Sequence, residues 1–178
     1  MERPGVGRGS QSIFIADANV LIDYLNADIA ALGLFSKHVG EVFVLGVLLR
    51  DEVNGLTEAH CKKVGLTVIE SSTEILIAAG ERSEREPMLS LYDWLCLLEA
   101  KERKAECLTS DGALLKACKR EGVETRRGLS PLLELVALGH LDGKQAMTLA
   151  KKMAGKNPYL TKVLPDFERE LAARVKKN

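Results

Sequence analysis

Ile13-Phe14-Ile15-Ala16-Asp17-Ala18-Asn19-Val20-Leu21 is the stretch on which the fold turns. Residues 13–16 are apolar and rich in β-branched side chains, which reads as a short buried strand, and Asp17 closes it. The period then changes, with Val20, Leu21, Tyr24 and Leu25 recurring at helical spacing.

The same alternation continues outward. A second apolar run at 42–45 predicts another strand, passing at Gly46 into a helix that ends near Gly55. Residues 66–69 read as a third strand, and Ser71 with Glu74 three positions later is a capping-box pattern that should start a helix. The charged run from Glu81 to Glu86 reads as an exposed turn, and a strong helix is expected over about 89–104. Residues 106–109 read as a strand, 113–120 as a helix ended by Gly122, and 123–125 as a last short strand. Strands alternating with helices predict an α/β fold whose parallel sheet is covered on both faces.

From Gly128 the pattern is helical only. Ser130-Pro131 marks a helix start, and further helices are expected at about 143–153 and 160–175, with Asn157-Pro158 between them. The chain therefore divides into a flexible lead (1–11), an α/β unit (12–127) and a helical C-terminal extension packed on it (128–178). With 178 residues, 46% of them hydrophobic and 28% charged, a sizeable core is within reach and disorder is not the default. Basic and acidic residues balance at 25 each, which argues against a uniformly basic nucleic-acid coat but not against a local patch. The cysteines Cys61, Cys96, Cys107 and Cys118 form no C-x-x-C pair, so a zinc ribbon is disfavoured and a reduced, cytoplasmic setting is expected. No apolar run has the length of a membrane span.

Four carboxylates carry the chemistry. Asp17 closes the first strand and Asp111 the fourth, and ligands bind at the carboxyl ends of parallel strands. Each aspartate is equally a good N-cap for the helix that follows, and the two roles can coexist. Glu52 reads as sharing a helix face with Leu48, Leu49 and Leu56, and Asp93 as falling in line with Leu89, Cys96, Leu97 and Ala100. An acid on an apolar face needs a counter-charge, a hydrogen-bond donor or a metal; an ion pair with Arg50 or Arg103 is the structural alternative. Four acids without His or Cys suit a hard cation, Mg²⁺ or Mn²⁺, and such an ion would orient water for attack on a phosphodiester.

The run from Ile15 to Asp23, the run Leu89-Ser90-Leu91-Tyr92-Asp93-Trp94-Leu95, and Glu106-Cys107-Leu108-Thr109-Ser110-Asp111 resemble the motifs of PIN-domain ribonucleases. Arg50-Asp51-Glu52-Val53 resembles the segment bearing that family's second acid, and order and spacing agree over about 13–127. The resemblance implies a three-layer α/β/α fold with a central parallel sheet of about five strands. It implies a Mg²⁺- or Mn²⁺-dependent endoribonuclease whose catalytic and metal-binding acids are Asp17, Glu52, Asp93 and Asp111. Thr109 or Ser110 would support a water or the metal shell, and Asp23 reads as an outer participant or, more simply, as a surface acid on the first helix. Small PIN proteins of the VapC toxin type are commonly dimeric and neutralised by an antitoxin. Homodimerisation, an antitoxin partner and an RNA substrate are therefore expected, with no membrane association. The competing reading is a catalytically inactive PIN scaffold that binds RNA or protein. A phosphotransfer domain also clusters acids at strand ends, but the helix-borne Glu52 and Asp93 fit an aspartyl nucleophile poorly.

Lys116, Lys119, Arg120, Arg126 and Arg127 follow Asp111, and Lys116, Arg126 and Arg127 are the first candidates for gripping RNA phosphates. Solvated helix faces are the plainer explanation. Trp94 reads as core, with base stacking the alternative. His38, His60 and His140 lack ligand spacing and read as structural or surface residues.

Overall fold

A computed structural model describes residues 12–175. The expected flexible lead at 1–11 and the end of the extension at 176–178 lie outside the described residues.

Five parallel strands form one sheet in the order β3-β2-β1-β4-β5. The central strand β1 (Ser12–Ala16) pairs with β2 (Gly40–Leu45) on one side and β4 (Glu106–Leu108) on the other. Beyond them lie β3 (Thr67–Ile69) and β5 (Thr125–Arg126). Phe14, Ile15 and Ala16 are wholly buried, as a strand covered on both faces requires. Between β1 and β2 run α1 (Ala18–Ala27) and α2 (Ile29–His38), whose Phe35 ring packs 4.9 Å from that of Phe14. Then come α3 (Gly46–Asp51) and α4 (Glu58–Val64) before β3. The chain next forms α5 (Thr73–Arg85) and α6 (Leu91–Arg103); α6 lies against β1 and β4 and beside α7 (Gly112–Glu121), which leads to β5. This is a three-layer α/β/α arrangement, as expected.

Three local expectations change. The α5 cap is Ser72, whose Oγ accepts the Ile75 N–H, so the capping signal was displaced by one residue from Ser71. The Glu81–Glu86 run is not a turn: α5 continues through it to Arg85. Its charges are spent in ion pairs, Arg82 with Glu86 and Glu121, and Arg120 with Glu86. Finally, α2 and α4 carry no strong amphipathic stripe and were not foreseen. Asp28 caps α2, with its carboxylate accepting the Ala30 N–H.

The C-terminal helices α8 (Ser130–Ala137), α9 (Gly143–Ala154) and α10 (Pro158–Val175) pack back onto the sheet's own helices, α8 on α2 and α9 on α1. The buried Tyr24 hydroxyl donates to the Gly128 carbonyl at 2.8 Å, tying α1 to the point where the extension begins. All four cysteines are buried and free. Among the described residues, no single helix is long and apolar enough to cross a membrane.

Candidate active site

The chain builds outward from β1 to β3, then returns to add β4 and β5 on the other side of β1. The order therefore reverses between β1 and β4. Successive connections depart toward opposite faces there, which opens a crevice at the carboxyl ends of the two strands. Asp17 directly follows β1, and Thr109, Ser110 and Asp111 directly follow β4. The topology alone brings these residues together across 92 positions of sequence.

Asp17 is only 2% exposed. Its Oδ1 accepts the Val20 N–H at 2.9 Å and caps α1, while its Oδ2 accepts the Thr109 hydroxyl. Burial pushes this carboxyl up to about 6. The two hydrogen bonds pull it down, and the nearby carboxylates of Asp93 and Asp111 push it further up. Asp111 caps α7 by accepting the Leu114 N–H at 2.8 Å, so the capping and site readings of both aspartates hold at once. Thr109 joins them: it is fully buried, donates to Asp17 and accepts the Asp111 N–H at 3.0 Å. Ser110 faces elsewhere. Its Oγ accepts the Gly128 N–H at 3.1 Å, and a Cβ at residue 128 would come within 2.8 Å of that oxygen, so glycine is needed there for the close approach.

Asp93 belongs to the cluster by its influence on Asp17, but it does not sit on a buried face. It is half-buried in the first turn of α6, where its Oδ2 accepts both the N–H and the hydroxyl of Ser90. Ser90 and Asp93 form a capping box, and the Ser-x-x-Asp spacing was the signal for it.

Glu52 departs further from expectation. The N–H groups of Glu52 and Val53 both donate to the Leu48 carbonyl and close α3 at Asp51. Val53 turns inward at 1% exposure, whereas Glu52 lies past the helix end and is exposed. Asp51, beside it, accepts the Tyr92 hydroxyl at 2.9 Å. Asp93 and Asp111 act on Asp17 at the crevice; Glu52 does not.

Asp23, expected on the surface, is 5% exposed. Its two oxygens each accept from Asn157 Nδ2 at 3.1 Å, and burial pushes the carboxyl up to about 6 against that bond. Asn157 stands between α9 and α10, so no local spacing connected the two residues. A cleft of about 360 Å³ opens beside Asp23 and Asp111, with Lys156, Asn157 and Tyr159 contributed by the C-terminal extension.

The candidate RNA-contacting cations divide. Arg126 is committed to Glu106 and Glu134 and lies 5.1 Å over the Phe14 ring, which makes it structural. Lys116 and Arg127 are exposed and have no carboxylate partner among the described residues. Trp94 is fully buried and unable to stack a base, with the Arg82 guanidinium 4.8 Å from its ring. His38 and His140, far apart in sequence, stack with ring centroids 3.6 Å apart.

No protein-family model matches the chain, and no curated protein matches it.

The donor chemistry of Asp17, Asp93 and Asp111 suits a hard divalent cation, since all the ligating atoms would be carboxylate oxygens. Among the described residues, no three His, Cys, Asp or Glu side chains are spaced to hold one ion as they stand. Asp93 gives one oxygen to Ser90 and Asp111 one to the Leu114 N–H. The second oxygen of each makes no such bond.

Proposed function

We propose that this chain is a Mg²⁺- or Mn²⁺-dependent endoribonuclease of the PIN type. One observation carries the reading: a buried aspartate at the sheet's reversal point, its carboxyl pushed up chiefly by burial and, to a lesser degree, by the like charges of Asp93 and Asp111. Like charges gathered around a buried acid are unfavourable unless a cation joins them. Asp17 would hold that cation from the floor of the crevice, with Asp93 and Asp111 presenting the oxygens their caps leave unused. Thr109 fixes the Asp17 carboxylate and the Asp111 backbone relative to each other, and the Asp93 and Asp111 side chains would turn toward Asp17 to complete the ligand set. When bound, the ion supplies the positive charge and Lewis acidity that phosphodiester hydrolysis requires. The PIN resemblance also brings an antitoxin partner and a homodimer into this proposal.

A second reading, a scaffold that binds RNA without cutting it, is favoured by the lack of three converging ligands among the described residues. RNA cleavage in Mn²⁺ separates the two. Asp17→Asn should lower the cleavage rate by roughly three orders of magnitude, the scale of a preorganised electrostatic group, with circular dichroism unchanged. Retained cleavage in both Asp17→Asn and Asp93→Asn would remove the nuclease assignment, and Mn²⁺ binding without cleavage across a broad RNA panel would establish the scaffold.

A further inference from the structure

We propose that Tyr92 is a positioning residue for Asp93: its bond to Asp51 holds the first turn of α6 in place when Asp93 turns from its cap toward a divalent cation. This rests on the metal-dependent reading above and adds a residue to it.

Asp93 has two tasks that compete. Its Oδ2 accepts the Ser90 N–H at 2.9 Å and the Ser90 hydroxyl at 2.8 Å, which closes the start of α6. Among the described residues no three His, Cys, Asp or Glu side chains converge on one ion, so Asp93 has to turn toward Asp17 to serve as a ligand. Turning pulls its capping oxygen away from Ser90, and a helix start that loses its capping partner frays. A ligand on a fraying turn is badly placed, because the groups around a ligand are what hold its geometry.

Tyr92 supplies a hold from the adjacent residue. Its hydroxyl donates to Asp51 Oδ2 at 2.9 Å, across 41 positions of sequence, and the acceptor belongs to another element. A hydrogen bond to a carboxylate is stronger than one between neutral groups. Asp51 is itself a fixed post. It ends α3, which follows β2 directly at the carboxyl end of the sheet. On one side Arg50 pairs in a fork with Glu70, at 2.8 and 3.0 Å. On the other, the Glu52 and Val53 N–H groups both close on the Leu48 carbonyl, and Val53 is buried. The tether therefore ties the start of α6 to the sheet without using either Asp93 oxygen. Thr109 plays the corresponding part for Asp111, accepting its N–H while the Asp111 carboxylate caps α7.

The test joins calorimetric titration of the full chain with Mn²⁺ to urea melts in EDTA and RNA cleavage in Mn²⁺. Tyr92→Phe should weaken Mn²⁺ binding roughly tenfold, the scale of a group that orients a metal ligand. Asp51→Ala should do the same, and the double variant should be no weaker than either, because both remove one bond. Asp51→Asn keeps an acceptor for the hydroxyl and should retain most of the affinity. An Asp51→Asn loss as large as that of Asp51→Ala would make Asp51 itself a ligand and overturn the tether. In EDTA the cap is intact, so Tyr92→Phe alone should move the urea midpoint little. Asp93→Ala removes the acceptor that turning takes away, and in that background Tyr92→Phe should lower the midpoint further than it does in wild type. Wild-type Mn²⁺ affinity in both Tyr92→Phe and Asp51→Ala would overturn the proposal while leaving the nuclease reading intact. Mn²⁺ binding that these variants weaken, with no RNA cleavage by the wild type, would instead remove the nuclease reading and support the tether.

Discussion

Asp17 and Asp23 belong to the same strand–helix unit, and both carboxyls are buried and pushed up to about 6. Their surroundings differ in kind. Asp23 faces Asn157, a neutral donor from the C-terminal extension, and no other acid adds to its shift. Asp17 also has hydrogen bonds, from Thr109 and Val20, yet Asp93 and Asp111 act on it as well. Burial alone therefore does not distinguish a working carboxylate from a structural one. The distinction lies in whether the neighbours satisfy the charge or add to it: Asn157 answers the Asp23 carboxyl, whereas among the described residues no cationic side chain is among the groups that act on Asp17.

The largest effect that tests this contrast is on stability against pH. A carboxyl whose ordinary value is 3.8 and whose folded value is about 6 is protonated more readily in the folded chain. Its contribution is therefore fully favourable below pH 3.8, declines as pH rises to about 6, and is flat above. For Asp17 the shift corresponds to about 3 kcal/mol at neutral pH. Asp17→Asn keeps the helix cap, since asparagine caps as well as aspartate. Relative to wild type it should gain stability across that interval and then level off in urea melts. Asp23→Asn should show a slope of the same sign. The two variants part company on Mn²⁺: at about 100 times its dissociation constant, the ion should stabilise wild type and Asp23→Asn by about 2.7 kcal/mol at pH 7 and leave Asp17→Asn unmoved. If Asp23→Asn were the variant that lost the response, the assignment of the two acids would be reversed.

A smaller effect is expected at Thr109, whose hydroxyl serves both Asp17 and the Asp111 backbone. Thr109→Val keeps the shape and removes the hydroxyl, leaving two buried groups short of a partner at a cost of about 1–3 kcal/mol. The Thr109 bond lowers the Asp17 value, so losing it moves that value further up. The rate–pH profile in Mn²⁺ should shift its acid limb to higher pH, and activity should fall roughly 10- to 100-fold, as for groups that orient metal ligands. An unshifted limb would show that Thr109 does not govern Asp17.

Which parts of this were legible in the sequence follows from the range of the interactions. The β1–Asp17–α1 unit was readable because a strand, a cap and a helix leave their marks within ten residues. The approach of Thr109 and Asp111 to Asp17 needed only the reversal of strand order that a parallel sheet makes plausible. The Asp23–Asn157 bond was not readable, because it joins α1 to a turn in the extension across 134 positions. The half-buried position of Asp93 was signalled by Ser90 three residues earlier and obscured by the apolar residues that share its periodicity. The groove between Leu133 and Tyr159 depends on how α10 lies beside α8, which no pattern in either helix specifies.

Glu52 is where the motif and the geometry pull furthest apart, and its variant is the finest test. The PIN resemblance makes it one of four equivalent acids. The structure places it exposed beyond α3, and it does not contribute to the raised value of Asp17 as Asp93 and Asp111 do. A solvated carboxylate at a helix end makes no contact whose loss is costly, so Glu52→Gln should change stability by no more than about 0.5 kcal/mol. Its effect on Mn²⁺-dependent cleavage should be about tenfold or less, the lower end of what a group acting through the metal's surroundings contributes. Measured beside Asp17→Asn, a loss of equal size would mean that Glu52 swings into the crevice when the cation binds. A small loss would mean that the three acids of the β1 and β4 ends carry the chemistry, and that the fourth position of the motif is kept here in sequence alone.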